Sequence, residues 1–137
     1  TITAWVYLTA AGGYPGIVVK TTAFGEAFAR YALYLDASTR VLKWARGGGV
    51  QLSGLTVPLN QWSFVAVSQN GSVLKMYLNG TEETYTSLSA PSYTTHETYI
   101  GSWTGSNGMF PGKIDEVRLY NRGLSASEIQ ALYMSGK

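Results

Sequence analysis

The sequence of 137 residues contains no cysteine, which excludes disulfide bonds, thiol nucleophiles and cysteine-ligated zinc. A chain of this length folds as one domain that buries about two thirds of its unfolded surface, so it does not depend on cross-links. The lack of cysteine does not decide the compartment, because a core of this size can be secreted without disulfides.

Charge and long apolar runs are also scarce. The formal net charge is +2, and the ten Lys and Arg residues are scattered along the chain. That distribution argues against a nucleic-acid-binding stripe and against a patch for anionic membranes. No apolar run approaches the length of a membrane span, so we predict no membrane insertion.

Glycine and aromatic residues, in contrast, are frequent and occur in short alternating runs. The chain has 16 Gly, 10 Tyr and 4 Trp, together with many Thr and Ser. Short alternating runs with turns about every eight to twelve residues are typical of an all-β sandwich. We therefore predict an antiparallel β-sandwich with one short helix at the C-terminal end.

The C-terminal stretch carries the clearest local signals. Ile114 to Tyr120 alternates as a strand does, so neighbouring side chains are expected on opposite faces. Ser125, followed three residues later by Glu128, forms a capping box. These signals predict a strand and then a helix from Ala126 to near Met134.

Alternation upstream predicts a central strand and two hairpins. Ile2 to Leu8 has large apolar groups on both faces, which indicates a strand covered on both sides. Asn70 and Gly71 form a dipeptide common in type I′ turns. The predicted hairpins pair Arg30–Asp36 with Arg40–Arg46 and Trp62–Ser68 with Val73–Asn79.

Three stretches carry a family resemblance, and they occur in the family's order. The string from Phe110 to Ser125, the run from Ile2 to Val6 and the hairpin from Trp62 to Gly80 resemble segments of laminin G-like domains. These are jelly-roll domains of the concanavalin A-like lectin/glucanase kind. The three stretches together span nearly the whole chain, and the resemblance implies a jelly-roll sandwich.

The resemblance also bears on domain organisation. Family members usually carry a further strand before the segment that Ile2 to Val6 matches, and that strand lies beside the closing one. We therefore expect residues 1–137 to be a single laminin G-like domain that lacks its first strand and is cut from a longer protein. Adjacent sequence or a partner chain would then pair with the exposed edge of Ile114 to Tyr120.

Some relatives of this fold are glucanases, but the sequence carries no catalytic pattern. Their Glu-x-Asp-x-x-Glu pattern is absent, and a glycosidase needs two carboxyl groups that flank one bond. Asp115 and Glu116 are expected on opposite faces, with Asp115 accepting backbone amides and Glu116 paired with Arg118. The one histidine, His96, lies in a polar loop without a Gly-x-Ser-x-Gly elbow. We predict that the chain is not an enzyme.

Calcium is the cofactor that the resemblance implies. Family members often bind it, and calcium sites use carboxylates and backbone carbonyls in irregular loops. The chain has two aspartates, Asp36 and Asp115, and no Asp-x-Asp cluster. Asp115 is therefore the candidate ligand.

Candidate glycan ligands are aromatic rings and planar hydrogen-bonding groups in predicted loops or on strand faces, because rings stack on sugars and polar tips bond to them. Trp44 shares a strand face with Arg46, which leaves a core and a concave-face location open. Trp103 precedes a glycine-rich turn, which favours exposure. Trp5 and Trp62 lie in apolar strands and are assigned to the core. The candidates are Tyr14, Trp44, Arg46, Tyr93, Trp103 and Asn107.

These observations predict a non-catalytic binding module of an extracellular or cell-surface protein, with carbohydrate as the leading ligand. The alternative is a structural or adhesion module that binds neighbouring protein domains and has no sugar site. Exposed Trp or Tyr beside Arg and Asn on a concave face would favour glycan. A smooth face of Thr and Ser would favour the spacer role.

Overall fold

The structure, a computed structural model, describes residues 1–89 and 95–136. This part of the chain forms ten strands, the 3₁₀ turn Glu26–Phe28 and the helix α1 (Ala126–Ser135). None of the helices it contains is long and apolar enough to span a membrane. The strands are β1 (Ile2–Leu8), β2 (Gly16–Thr21), β3 (Ala29–Leu35), β4 (Val41–Arg46), β5 (Gly49–Thr56), β6 (Trp62–Asn70), β7 (Val73–Leu78), β8 (Thr81–Thr86), β9 (Thr98–Ile100) and β10 (Gly112–Leu119).

The strands form two antiparallel sheets that pack face to face, which confirms the predicted sandwich. The first sheet has the order β10-β1-β6-β7-β8, and the second has the order β5-β4-β3-β2-β9. Alternate residues of both sheets meet in the core between them. Val6 and Met76 of the first sheet and Leu33 and Leu42 of the second are fully buried there.

Both sheets also bury apolar side chains on their outer faces. On the first sheet, α1 places Ile129 over Phe64, and Tyr133 stacks on Trp5 with ring centroids 5.9 Å apart. On the second sheet, a smaller cluster forms around Tyr34. The strong apolar content of β1 on both faces is explained by this double cover.

The capping box predicted for α1 is present. The Glu128 N–H donates to Ser125 Oγ at 3.3 Å, and the Ser125 N–H donates to Glu128 Oε2 at 2.8 Å. Arg122 binds the same carboxylate through both of its terminal nitrogens. The bonds from Arg122 and from the Ser125 backbone hold the pKa of Glu128 at about 2.

The hairpin between β3 and β4 also forms as predicted, and it is organised by Asp36. Asp36 Oδ1 accepts the Ser38 N–H at 3.1 Å and the Thr39 N–H at 3.0 Å. These bonds, the one from the Thr39 backbone first, hold the pKa of Asp36 at about 2. This aspartate is therefore committed to a turn.

The turn between β6 and β7 differs from the prediction. Asn70 pairs with Val73 as the last residue of β6, so the loop residues are Gly71 and Ser72. Of these, Gly71 has a positive φ of 56°, and Asn70 does not take the left-handed conformation. The central pair of the turn is displaced by one residue because the strand extends through Asn70.

A bulge interrupts the alternation of β10. Glu116 has a φ of 50°, and the register between β10 and β1 shifts beside it. The extra residue lets both Ile114 and Val117 pack on the core between the sheets. It also brings Asp115 and Glu116 to the border of one pocket beside α1. The prediction that these two carboxylates lie on opposite faces is therefore wrong.

The outer edge of β10 pairs with no other strand in the described ranges, because β10 ends its sheet and pairs with β1 alone. An edge of this kind can accept another strand. The expectation that adjacent sequence or a partner chain supplies that strand stays a prediction.

Candidate functional site

A cleft of about 590 Å³ opens between the two sheets at one end of the sandwich. Its walls come from the ends of β1, β6 and β10 in the first sheet and of β2, β3 and β4 in the second. We call it the end cleft. The side chains that give it chemical character are Lys20, Arg30, Tyr31, Trp44, Arg46, Gln69, Tyr120, Asn121 and Arg122.

A row of paired residues across the second sheet forms one wall of the end cleft. Lys20 lies opposite Tyr31, and Tyr31 lies opposite Arg46. Directly opposed residues have Cβ atoms about 5 Å apart, so the two cations flank the tyrosine. Trp44, two residues before Arg46 on the same face, stacks on Tyr31 with ring centroids 6.1 Å apart and planes at 14°.

The opposite wall is held in place by Thr1. The Tyr120 N–H donates to Thr1 O at 2.8 Å, and Thr1 Oγ1 donates to Arg122 O at 2.8 Å. These bonds tie the segment after β10 to the start of β1. Tyr120 and Asn121 consequently border the cleft across from the row that contains Tyr31.

The end cleft is lined by four cations and by no carboxylate. Arg122 is paired with Glu128, whereas Lys20, Arg30 and Arg46 make no ion pair within residues 1–89 and 95–136. A cleft lined by one sign of charge focuses the electrostatic field and attracts ions of the other sign. The end cleft is therefore suited to an electron-rich or anionic ligand.

Three side chains of the cleft have buried polar atoms without a hydrogen-bond partner in the part that the structure describes. They are Trp44 Nε1, Arg30 Nε and Gln69 Oε1. Arg30 Nη2 does contact His96 Nε2 at 3.5 Å, and Gln69 Nε2 donates to Leu88 O at 3.1 Å. Buried polar atoms are normally paired, so two donors and one acceptor are left for a ligand or for water.

Two of the six predicted glycan ligands, Trp44 and Arg46, come together in the end cleft. Trp44 is only 6% exposed and also belongs to the core between the sheets. The sequence left open whether Trp44 lies in the core or on the concave face. The ring does both, because it packs in the core and also lines the end cleft. Arg46 lies above it on the same strand face.

Trp103 is 1% exposed, so the prediction that it is exposed is wrong. The glycine-rich turn folds the ring back onto the outer face of the second sheet. There it packs edge-on against Tyr34 and Phe24, with centroid distances of 5.0 and 5.7 Å, and Nε1 donates to Tyr14 O at 2.9 Å. A ring enclosed in this way presents no face to a sugar.

The other three candidates lie outside the end cleft or outside the described residues. Tyr14 is 43% exposed on the far side of the second sheet, with Lys43 Nζ 5.6 Å from its ring centroid. Asn107 is exposed, and its side chain donates to Thr104 Oγ1 at 3.2 Å. Tyr93 lies outside the described residues. Ligand binding by these three stays a prediction.

A second pocket, of about 640 Å³, lies beside α1. It includes Trp62, which is 43% exposed, so the assignment of this residue to the core is wrong. Trp62 begins β6, where its ring packs edge-on against Tyr7 with ring centroids 5.7 Å apart. Trp5 is half-buried beneath α1, in contact with Phe64 and Tyr133.

The residues around Asp115 do not fit a calcium ion. Asp115 Oδ1 accepts the Glu116 N–H at 2.7 Å, and Glu116 pairs with Arg118, as expected for both. Calcium takes about six to eight oxygen ligands, several of them carboxylates. Within the described ranges, no group of three or more His, Cys, Asp or Glu residues is placed to hold a metal ion.

Most of the cleft residues were not found by sequence reasoning. The available signal was Tyr31, which shares its alternation with Leu33 and Leu35 and so had to share their inward face. The alternation does not reveal the strand register, which places Lys20 on one side of Tyr31 and Arg46 on the other. The missed residues are Lys20, Arg30, Tyr31, Gln69, Tyr120, Asn121 and Arg122.

The two packed antiparallel sheets, with a helix over one outer face, define a lectin-like β-sandwich of the jelly-roll class. The chain belongs to the concanavalin A-like lectin/glucanase superfamily, whose family model matches residues 1–130. A comparison with curated protein sequences finds no match.

Several solved structures share the fold at low sequence identity. Domain 4 of an extracellular GH43 arabinanase from Geobacillus stearothermophilus, in complex with arabinotriose, aligns with a TM-score of 0.74, 18% identity and 96% coverage of this chain. The CBM40 of the Ruminococcus gnavus IT-sialidase aligns with 0.78, 17% and 96%. Trypanosoma rangeli sialidase aligns with 0.72, 19% and 98%. The chain spans 65%, 80% and 22% of these three structures, respectively.

Proposed function

We propose that the chain is a non-catalytic carbohydrate-binding module and that glycan binds in the end cleft. The observation that carries the proposal is the stacked pair Tyr31 and Trp44 beside the unpaired Arg30 and Arg46. Aromatic faces and planar hydrogen-bonding groups are the chemistry that holds a sugar ring. The unpaired polar atoms of Trp44, Arg30 and Gln69 offer further partners for hydroxyl groups.

The comparisons support a carbohydrate-binding module but do not identify the sugar that this chain binds. The arabinanase domain was solved with arabinotriose, and the CBM40 belongs to a sialidase. The arabinanase is described as extracellular. We propose that this chain, too, belongs to an extracellular or cell-surface protein.

The absence of catalysis is proposed from the placement of the carboxylates. No carboxylate lines the end cleft, whereas glycoside hydrolysis uses two of them around the scissile bond. Asp115 and Glu116 share the border of the second pocket, but each is bound to a neighbour on its own strand. These bonds stabilise the bulge of β10.

Tyr31→Ala is expected to weaken glycan binding by roughly tenfold or more, because it removes the ring on which the sugar stacks. A glycan array with the unmodified chain identifies the ligand, and titration calorimetry then compares the variants. Tyr31→Phe keeps the ring and loses only the long contact of the hydroxyl with Thr98 Oγ1 at 3.4 Å, so it should retain most of the affinity.

Trp62→Ala is the matched control, since it removes an exposed aromatic ring outside the end cleft. It should leave the affinity within about twofold of the unmodified chain. Loss of binding in Trp62→Ala with full binding in Tyr31→Ala would move the glycan to the second pocket and refute the proposed site. Circular dichroism establishes that both variants remain folded.

The alternative, a protein-binding or structural module without a sugar site, is favoured by one observation. The outer edge of β10 pairs with no strand in the described part of the chain, and such edges accept strands from other chains. An array that retains no glycan, with or without a chelator, would favour this alternative over the carbohydrate-binding module.

A further inference from the structure

Most cations of the end cleft lack an acidic partner in the described part of the chain. The chain has ten Lys and Arg and eight Asp and Glu, so a neutralising partner is available for most cations. Four cations nevertheless line this one cleft, and three of them have no ion pair in the described ranges. Like charges in one cleft repel one another, and an anion bound between them relieves that repulsion.

The row through Tyr31 shows the imbalance most clearly. Opposite charges at directly paired positions stabilise a sheet, and β-sheets commonly use them. Here the row runs from Thr98 through Lys20, Tyr31 and Arg46 to Gly49, and it contains no acidic residue. The two cations therefore stand on either side of the ring without a neutralising group in the sheet.

The cations without an ion pair in the described residues all come from one wall of the cleft. Lys20, Arg30 and Arg46 lie on β2, β3 and β4 of the second sheet, whereas Arg122 on the opposite wall is bound by Glu128. An anion is therefore attracted chiefly to the wall formed by the second sheet.

We propose, building on the carbohydrate-binding function, that the end cleft selects glycans that carry a carboxylate on the sugar ring. The guanidinium of Arg46 presents two parallel N–H groups that match a carboxylate, and Arg30 adds a second guanidinium in the same cleft. Lys20 contributes a point charge. The aromatic pair Tyr31 and Trp44 packs against the face of the sugar ring, and Gln69 Oε1 accepts a hydrogen bond from a sugar hydroxyl group.

Two classes of sugar supply this chemistry, sialic acids and uronic acids, and titration calorimetry distinguishes them. Sialyllactose is compared with lactose, and an oligogalacturonide is compared with its methyl ester. In at least one of these two pairs, the acidic sugar should bind about tenfold or more tightly than its neutral counterpart at low salt. The advantage should shrink when the salt concentration is raised, because salt screens the charges.

Arg46→Gln tests the assignment within the cleft, with Lys113→Gln as the matched control. Both variants lose one positive charge, but Lys113 lies on β10 outside the cleft. Arg46→Gln should weaken the acidic glycan by about tenfold more than its neutral counterpart, because only the acidic sugar loses an ion pair as well as hydrogen bonds. The affinity of Arg46→Lys for the acidic glycan should lie between those of the unmodified chain and Arg46→Gln. Lysine retains the positive charge but cannot donate two parallel N–H groups to a carboxylate. Lys113→Gln should change neither affinity.

The outcomes separate this inference from the proposed function. Equal affinity for acidic and neutral members of both pairs, with loss in Tyr31→Ala, would overturn the carboxylate preference and leave the carbohydrate-binding cleft intact. Equal weakening in Arg46→Gln and Lys113→Gln would reduce the preference to overall charge and also overturn it. Failure to bind any of these glycans or any on the array would overturn both proposals.

Discussion

Gly112→Ala is expected to lower the free energy of unfolding by about 3 kcal/mol or more. Gly112 begins β10 with a φ of 154°, and a Cβ atom added there would lie 1.9 Å from Tyr7 O and 3.3 Å from Leu8 Cα. Both contacts are with the backbone of β1, which cannot move aside as a side chain can. The substitution must therefore displace one strand from the other.

Gly71→Ala is the control for Gly112→Ala. Its φ of 56° lies in the left-handed region, which alanine can adopt at a modest cost, and no atom lies within 4 Å of the added Cβ. It should cost about 1 kcal/mol, the ordinary penalty of a left-handed residue. Urea unfolding of both variants measures the difference. Equal losses would show that β10 does not approach β1 as closely as described.

Trp103→Ala should have an effect of similar size, a loss of about 3 to 5 kcal/mol in the free energy of unfolding. The ring is 1% exposed, and its removal leaves a cavity against Tyr34 on the outer face of the second sheet. Trp103→Phe retains a ring but loses the hydrogen bond to Tyr14 O, so it should cost less than Trp103→Ala.

Trp62→Ala provides the comparison for Trp103→Ala because it removes the same side chain from a site that is 43% exposed. Denaturant unfolding should show a loss of about 1 kcal/mol or less for it, as for most surface substitutions. A small loss in Trp103→Ala and a large one in Trp62→Ala would restore the locations that the sequence indicated and contradict the structure.

The parts of the fold that the sequence predicts correctly are those set by local signals. The capping box of Ser125 and Glu128 fixes the start of α1, and two alternating runs separated by a short turn form the hairpin of β3 and β4. Each depends on residues within a few positions of one another. Family resemblance adds the order of these elements but not their contacts.

The failures concern residues whose environment is made by distant segments. Nothing local to Glu116 announces the bulge that places it beside Asp115, since the bulge arises from pairing with β1. Trp103 is enclosed by Phe24 and Tyr34, both far from it in sequence. Trp62 is 43% exposed, and its ring packs edge-on against Tyr7, its neighbour on β1.

The end cleft illustrates the same limit for function. Trp44 and Arg46 were found because residues two apart on one strand share a face. Lys20 and Tyr31 join them through the register of β2, β3 and β4, which alternation alone does not supply. Gln69 arrives from the other sheet, and its place depends on how the two sheets stack.

The indole N–H signals of the four tryptophans give the most direct test of glycan binding in the end cleft. Trp44 lines the end cleft, Trp5 and Trp62 line the second pocket, and Trp103 is buried beyond both. A glycan retained on the array is titrated into ¹⁵N-labelled protein. The Trp44 signal should shift progressively to saturation while that of Trp62 stays in place. A shift of Trp62 or Trp5 with an unmoved Trp44 would contradict binding in the end cleft.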